Sequence, residues 1–174
     1  MIVGSSSVRL LANERVFPGV RLINRGFGGA HISDINANIE PTVLKYEPSK
    51  VVFFCGNNDL WYGRSVAEVE ADFESFRSQL FDRLPECQLF VLALRPSPER
   101  ISIMDRELAM NERFEELAAS DDRIVFLRGS CDRFLDSDGK PIEALYAEDR
   151  LHMNDDGYHI WKEILTPYLV EATP

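Results

Sequence analysis

Ser5, Ser6 and Ser7, together with Asp149 and His152, are the residues of this chain whose types and spacing suit nucleophilic chemistry. A serine hydroxyl is a weak nucleophile near neutral pH. It needs a base to take its proton, a group to orient that base, and donors for the oxyanion that forms. The chain holds 3 histidines. His152 stands just before a helical stretch, with Asp149 upstream on the same turn. That spacing lets the carboxylate reach the imidazole, hold its tautomer and favour the imidazolium. His31 follows a glycine-rich loop and reads as a supporting or surface residue. His159 lies inside the last helix, one turn from Asp155 and Asp156, and reads as a helix-surface residue. Gly29 suits donation of a backbone N–H, because a missing side chain permits close approach. Asn58 offers a side-chain amide. Each signal has an ordinary alternative: serines cap helices, Gly and Asn form turns, and Asp-x-x-His occurs in solvated turns.

The elements that must position these residues follow from hydrophobic period and punctuation. Ile2-Val3 runs into Gly4 and the three serines, as a strand does when it turns sharply into a helix. Residues 8–15 read as a short helix, 20–24 as a second strand and 25–30 as a glycine-rich loop. Residues 33–46 suit two helical pieces, since Pro41 would break one helix but fits the first turn of another. The apolar run within 50–55 suits a central parallel strand, followed by a loop at 56–59. Residues 65–83 form the clearest helix, with a Ser65/Glu68 capping box and Val66, Val69, Phe73, Phe76 and Leu80 on one face. Residues 89–94 read as a fourth strand and 95–98 as a loop. A helix over 103–119 would bury Leu108, Phe114 and Leu117, and 124–127 is a fifth strand. A turn at 136–139 precedes the last helix, which Asn154 caps and which turns Ile160, Trp161, Ile164 and Leu165 inward.

Strand–helix alternation of this kind implies an α/β three-layer sandwich with a five-stranded, mostly parallel sheet. In such sheets, sites form outside the carboxyl ends of the strands. The serines follow the first strand, Gly29 the second and Asn58 the third. Arg95, Ser97 and Arg100 follow the fourth and are candidates to line an acyl or alcohol pocket. Convergence on one sheet edge is stronger evidence than any single motif.

The totals narrow the class. A chain of 174 residues suits a single domain spanning 1–174, and 45% hydrophobic with 28% charged residues is ordinary globular composition. A net charge of −10 argues against nucleic acid and anionic membranes as partners. Cys55, Cys87 and Cys131 are scattered without a CxxC pair, which argues against a disulfide framework or zinc site. Cys55 reads as a buried small hydrophobe. No stretch suggests an integral membrane segment, and no signal peptide is evident, so a cytoplasmic protein is expected. Only Met1, Ile2 and Val3 precede Gly4, short for a strand. Residues upstream of Met1 would allow a periplasmic or secreted protein instead. A homo-oligomer stays open.

The blocks Gly4-Ser5-Ser6, Gly29, Gly56-Asn57-Asn58-Asp59 and Asp149-Arg150-Leu151-His152 stand in the order found in the SGNH (GDSL-type) hydrolases. The chain resembles that family over essentially its whole length. The strings Val3-Gly4-Ser5-Ser6-Ser7-Val8-Arg9-Leu10 and Ile23-Asn24-Arg25-Gly26-Phe27-Gly28-Gly29 are similar to a bacterial branch related to platelet-activating-factor acetylhydrolases. The resemblance implies a flavodoxin-like fold, no metal or cofactor, and hydrolysis of a small-molecule ester, short-chain and acetyl-type. It implies Ser6 as nucleophile, completed by Asp149 and His152. It also implies an oxyanion hole from the N–H groups of Ser6 and Gly29 and the amide of Asn58. Ser5 stands where many members have Asp, and Leu11 where many have an aromatic residue. An α/β-hydrolase would carry Gly-x-Ser-x-Gly, but Val8 occupies the second glycine position. A flavodoxin-like phosphate- or nucleotide-binding module would use the same loops without hydrolase activity. It leaves Asp149 and His152 without a role, and the chain has no GxxxxGK[ST] motif.

Overall fold

Short apolar runs pair along their backbones to build the frame. The computed structural model describes residues 1–170, so the end of the expected 1–174 domain lies outside the described residues. Strands β1 (Ile2–Gly4), β2 (Asn24–Gly26), β3 (Lys50–Phe54), β4 (Gln88–Leu92) and β5 (Ile124–Leu127) form one sheet in the order β2-β1-β3-β4-β5. Every neighbouring pair is parallel. The helices are α1 (Ser6–Arg9), α2 (Asn13–Val16), α3 (Ile32–Ala37), α4 (Ile39–Thr42), α5 (Asn57–Trp61), α6 (Val66–Arg83), α7 (Met104–Ala119), α8 (Gly129–Asp132) and α9 (Asp155–Leu169). Among the described residues, no helix is long and apolar enough to cross a membrane.

Successive strand residues point to opposite faces, and β3 shows the consequence. Phe53 packs on Phe73 and Phe76 of α6, with ring centroids 5.3 and 4.7 Å away. Phe54 points the other way, onto Trp161 of α9 at 4.9 Å. Helix α7 joins the α6 layer through Phe114 against Phe73, and β4 meets the α9 layer through Phe90 and Tyr168. The sheet is therefore covered on both sides, which is why β3 reads as an unbroken apolar run.

Several elements fall where the sequence predicts. Ser65 Oγ accepts from the Glu68 N–H while the Glu68 carboxylate accepts from the Ser65 N–H, opening α6. Asn154 caps α9 by accepting from the N–H groups of Asp156 and Gly157. Strand β5 covers the expected residues. Pro41 sits in the first turn of α4. All three cysteines are free and buried.

Other elements are displaced, for local reasons. The second strand is Asn24–Gly26 rather than 20–24, leaving Val20 and Leu22 half-buried outside the ladder. Its register is set by pairing with β1, reinforced by Asn24 Nδ2 donating to the Val8 carbonyl at 2.7 Å. The same amide lies 3.4 Å from the Leu11 carbonyl. Binding those carbonyls splits the expected 8–15 helix into α1 and α2. The loop expected at 56–59 instead winds into α5. Strand β4 starts one residue early and ends at Leu92, and a 3-10 turn (Pro98–Ile103) precedes α7. In α7 the buried positions are Glu107, Met110, Asn111 and Phe114, while Leu108 and Leu117 are only half-buried.

Gly4 is where the central strands crowd most. A Cβ added there would lie 2.0 Å from the Phe54 carbonyl oxygen. Gly139 is the contrast: its φ is +74°, but nothing lies within 4 Å of an added Cβ. Gly4→Ala should therefore destabilise by about 3 kcal/mol or more through forced strand separation. Gly139→Ala should cost about 1 kcal/mol of backbone strain. Urea denaturation of the two variants checks the difference; equal losses would contradict the close-approach account.

Candidate active site

The chain leaves β1 through two backbone bonds. The Ser5 N–H donates to the Phe54 carbonyl at 3.1 Å, and the Phe27 N–H donates to the Gly4 carbonyl at 3.1 Å. These fix where α1 begins. Ser5 occupies its N-cap position, yet its hydroxyl makes no capping bond, unlike the simple cap that serine-rich turns suggest. The three serines then part company. Ser7 is buried, and its Oγ accepts from Arg95 Nη2 at 3.0 Å. Ser6 Oγ lies 2.8 Å from His152 Nε2, a contact spanning 146 positions of sequence.

His152 and Asp149 share one turn. Asp149 Oδ1 accepts from the N–H groups of Leu151 and His152 at 3.0 and 2.9 Å, and Oδ2 lies 2.6 Å from His152 Nδ1. Arg150 between them adopts φ +57°, a left-handed conformation that tightens the turn. Burial would raise the Asp149 pKa. The bonds from the His152 ring and the two N–H groups outweigh it and hold the carboxyl at about 2.

Asn58 enters from α5, behind Gly56 at φ +130°. Its Nδ2 donates to the Ala30 carbonyl at 3.0 Å and its Oδ1 accepts from Arg100 Nη1 at 2.9 Å. The amide nitrogen keeps a second N–H. Gly29 precedes Ala30 on the exposed loop after β2, at φ +74°, outside the lining of the cavity beside Ser6. The N–H groups of Ser6 and Gly29 make no hydrogen bond to the described residues. Below this loop, fully buried Asp59 accepts from the Ile32 N–H at 3.2 Å and lies 3.4 Å from His31 Nδ1. Burial raises its pKa against the pull of His31, the Ile32 N–H and Arg64. His31 thus braces the loop. His159 is exposed and pairs with Glu163 at 3.3 Å.

A cavity of about 30 Å³ opens beside Ser6 and His152 and is lined in part by Arg95, Ser97 and Arg100. Arg95 is only 4% exposed. Its Nη1 donates to the Leu151 carbonyl at 3.3 Å, so one guanidinium joins the residue after Ser6 to the residue before His152. The rings of Phe54, Phe134 and Tyr146 surround it, with centroids 5.9, 5.4 and 5.1 Å away. Tyr158 Oη donates to the Ser7 carbonyl at 2.8 Å, adding a second tie from α9. Arg100 rests over Trp61 at 5.0 Å, and burial lowers its pKa. Among the described residues, no group of His, Cys, Asp or Glu is placed to hold a metal ion.

Glu107 also lines this cavity and is not among the residues that sequence reasoning selects. It is 1% exposed, and its Oε1 accepts from Asn57 Nδ2 at 2.5 Å. Burial pushes its pKa up to about 8, against the Asn57 bond and the charges of Arg95 and Arg100. The available signal was its phase, since Glu107 shares the helical stripe of Met110 and Phe114.

Linkage fixes the sign of the consequence. Between the ordinary carboxyl range and about pH 8, the folded protein holds a proton on Glu107 that the unfolded chain has lost. Stability should therefore fall as pH rises through that window. Glu107→Gln, which mimics the protonated acid, should flatten the slope and be the more stable protein at pH 8. Denaturation midpoints at pH 5, 6, 7 and 8 check this; parallel wild-type and variant curves would refute it.

Comparison with known proteins adds the family. The profile of the GDSL-like Lipase/Acylhydrolase family matches residues 5–160. A protein from Streptococcus pneumoniae, provisionally described as a platelet activating factor, superposes with TM-score 0.87 at 21% identity, covering 97% of this chain and 82% of its own. A GDSL-like lipase from Bacteroides thetaiotaomicron superposes with TM-score 0.81 at 19% identity, covering 97% and 85%. An acetylxylan esterase from Geobacillus stearothermophilus superposes with TM-score 0.76 at 15% identity, covering 98% and 94%. Comparison with curated proteins returned no match. With the family profile spanning nearly the whole chain and the fold superposing on these neighbours, the chain belongs to the GDSL-like lipase/acylhydrolase family and is a carboxylic ester hydrolase.

Proposed function

We propose that ester hydrolysis here proceeds by a Ser6–His152–Asp149 triad through an acyl-enzyme, with short-chain, acetyl-type esters as substrates. The observation that carries this reading is the unbroken contact chain, 2.8 Å from Ser6 Oγ to His152 Nε2 and 2.6 Å from His152 Nδ1 to Asp149 Oδ2. Ser6 Oγ attacks the ester carbonyl as His152 Nε2 takes its proton. Asp149 holds the Nδ1–H tautomer and stabilises the imidazolium, and its low pKa keeps it ionised across the working range. The N–H groups of Ser6 and Gly29 and the second N–H of Asn58 receive the oxyanion, each contributing about 3 kcal/mol. His152 then returns the proton to the departing alcohol. Water, deprotonated by the same nitrogen, releases the acid and restores Ser6.

Two observations favour a short acyl group. The space beside Ser6, about 30 Å³, is enough for a methyl-sized group. Its lining includes the charged or polar side chains of Arg95, Arg100 and Glu107, so burying a long chain against them would strip water from those groups without replacing it. One structural neighbour is an acetylxylan esterase, in keeping with an acetyl substrate.

A fluorophosphonate probe should label wild-type protein and leave Ser6→Ala unlabelled, read by intact-mass spectrometry. Undiminished labelling of Ser6→Ala would move the nucleophile elsewhere. His152→Ala and Asp149→Asn should each lower kcat by about 10⁴-fold while melting near the wild-type temperature. Near-normal turnover in either breaks the triad. Across p-nitrophenyl esters, kcat/KM should peak at acetate or propionate; a maximum at eight carbons or longer would overturn the short-chain reading.

A further inference from the structure

Asn57, Arg95 and Glu107 line one side of the cavity beside Ser6, and each has a buried polar atom with no hydrogen-bond partner: Asn57 Oδ1, Arg95 Nε and Glu107 Oε2. Buried polar atoms are normally satisfied, so three of them on residues lining one small cavity call for a guest. The side chains are held to leave them free. Glu107 Oε1 is fixed by Asn57 Nδ2, and both outer nitrogens of Arg95 are engaged by Ser7 and Leu151.

We propose that this side of the cavity is a subsite for a hydroxyl group carried by the ester substrate close to its scissile bond. A hydroxyl is both donor and acceptor, and it matches the orphaned set. Arg95 Nε–H and the protonated Glu107 Oε2–H donate to its oxygen, and its proton is accepted by Asn57 Oδ1. The cavity admits a group about the size of a hydroxymethyl. Such a hydroxyl can come from two sources, a short 2-hydroxyacyl group or a polyol leaving group. The proposal rests on Ser6 as the nucleophile, since Ser6 defines which end of the substrate faces this wall. It makes Glu107 a specificity residue that does no proton transfer.

Two substrate pairs distinguish the sources in a pH-stat assay. Methyl glycolate against methyl acetate tests the acyl side, and 2-hydroxyethyl acetate against ethyl acetate tests the alcohol side. The readout is the ratio of kcat/KM within each pair, compared between wild type and variants, which cancels intrinsic reactivity. In one pair, the hydroxyl preference should drop at least tenfold in Glu107→Leu, the size expected for losing a buried hydrogen bond. It should survive largely intact in Glu107→Gln, which retains both an acceptor and a donor. Should Glu107→Leu fail to fold, the wild-type protein gives the same answer through product inhibition. Glycolate should inhibit p-nitrophenyl acetate hydrolysis at least tenfold more tightly than acetate, or ethylene glycol more tightly than ethanol. Ratios unchanged between wild type and variants in both pairs, or equal inhibition within both product pairs, would overturn the subsite. Neither result would touch the nucleophile, which stands or falls on the labelling of Ser6→Ala.

Discussion

The structure hinges on the approach of β1 to β3 at Gly4 and Phe54. Parallel strands hold their backbones about 4.8 Å apart, and β1 must keep that spacing on both flanks while its chain turns into α1. Only a residue without a Cβ tolerates the Phe54 carbonyl at that point. The Ser5 N–H then uses the same carbonyl, so one oxygen both limits the close approach and anchors the turn. Ser6 and α5 therefore leave adjacent strands at the place where the sheet order reverses direction, which is where open α/β sheets form their clefts.

Around that edge the protein buries charge in a controlled way. Arg95 keeps its guanidinium among aromatic rings, where the ring faces replace part of its hydration. Facing it, Glu107 is held largely as the neutral acid below pH 8 instead of forming a buried pair. Buried pairs gain little over their desolvation penalty. A neutral acid beside a fixed cation keeps the cavity polar while leaving its hydrogen-bonding capacity uncommitted. Asp149 is the opposite case, a half-exposed carboxyl held ionised by three bonds within its own turn.

How much was legible from residues alone depended on which force placed them. Where side-chain burial decides, the sequence is explicit: the β3 run, the α6 stripe with its capping box, β5 and the α9 cap all stand as expected. Where backbone pairing decides, it is not. Asn24-Arg25-Gly26 has the composition of a loop and forms a strand because β1 needs a partner. The 56–59 segment has turn composition and becomes the first turn of α5, because glycine at φ +130° redirects the chain. Among the candidate residues, the serine block, Gly29, Asn58 and the Asp149/His152 turn could be picked out by residue type. Their mutual distances could not, and the buried roles of Arg95 and Glu107 depend on tertiary neighbours that no local window contains. A charged residue in phase with an apolar stripe was the one visible trace of Glu107.

Asp149 and His152 arrive on a single turn near the end of the chain, and only the contact with Ser6 reaches across the fold. Synthesis proceeds from the serine end. A nascent chain that has emerged as far as β5 already holds the proposed nucleophile, Gly29 and Asn58, but lacks the proposed proton acceptor. The α9 segment then brings several links at once: the histidine turn before it, the Tyr158 tie to Ser7 and Trp161 against Phe54. Closing the last layer of the sandwich and bringing His152 to Ser6 are thus one event. Until then the growing chain carries the proposed nucleophile without the proposed base.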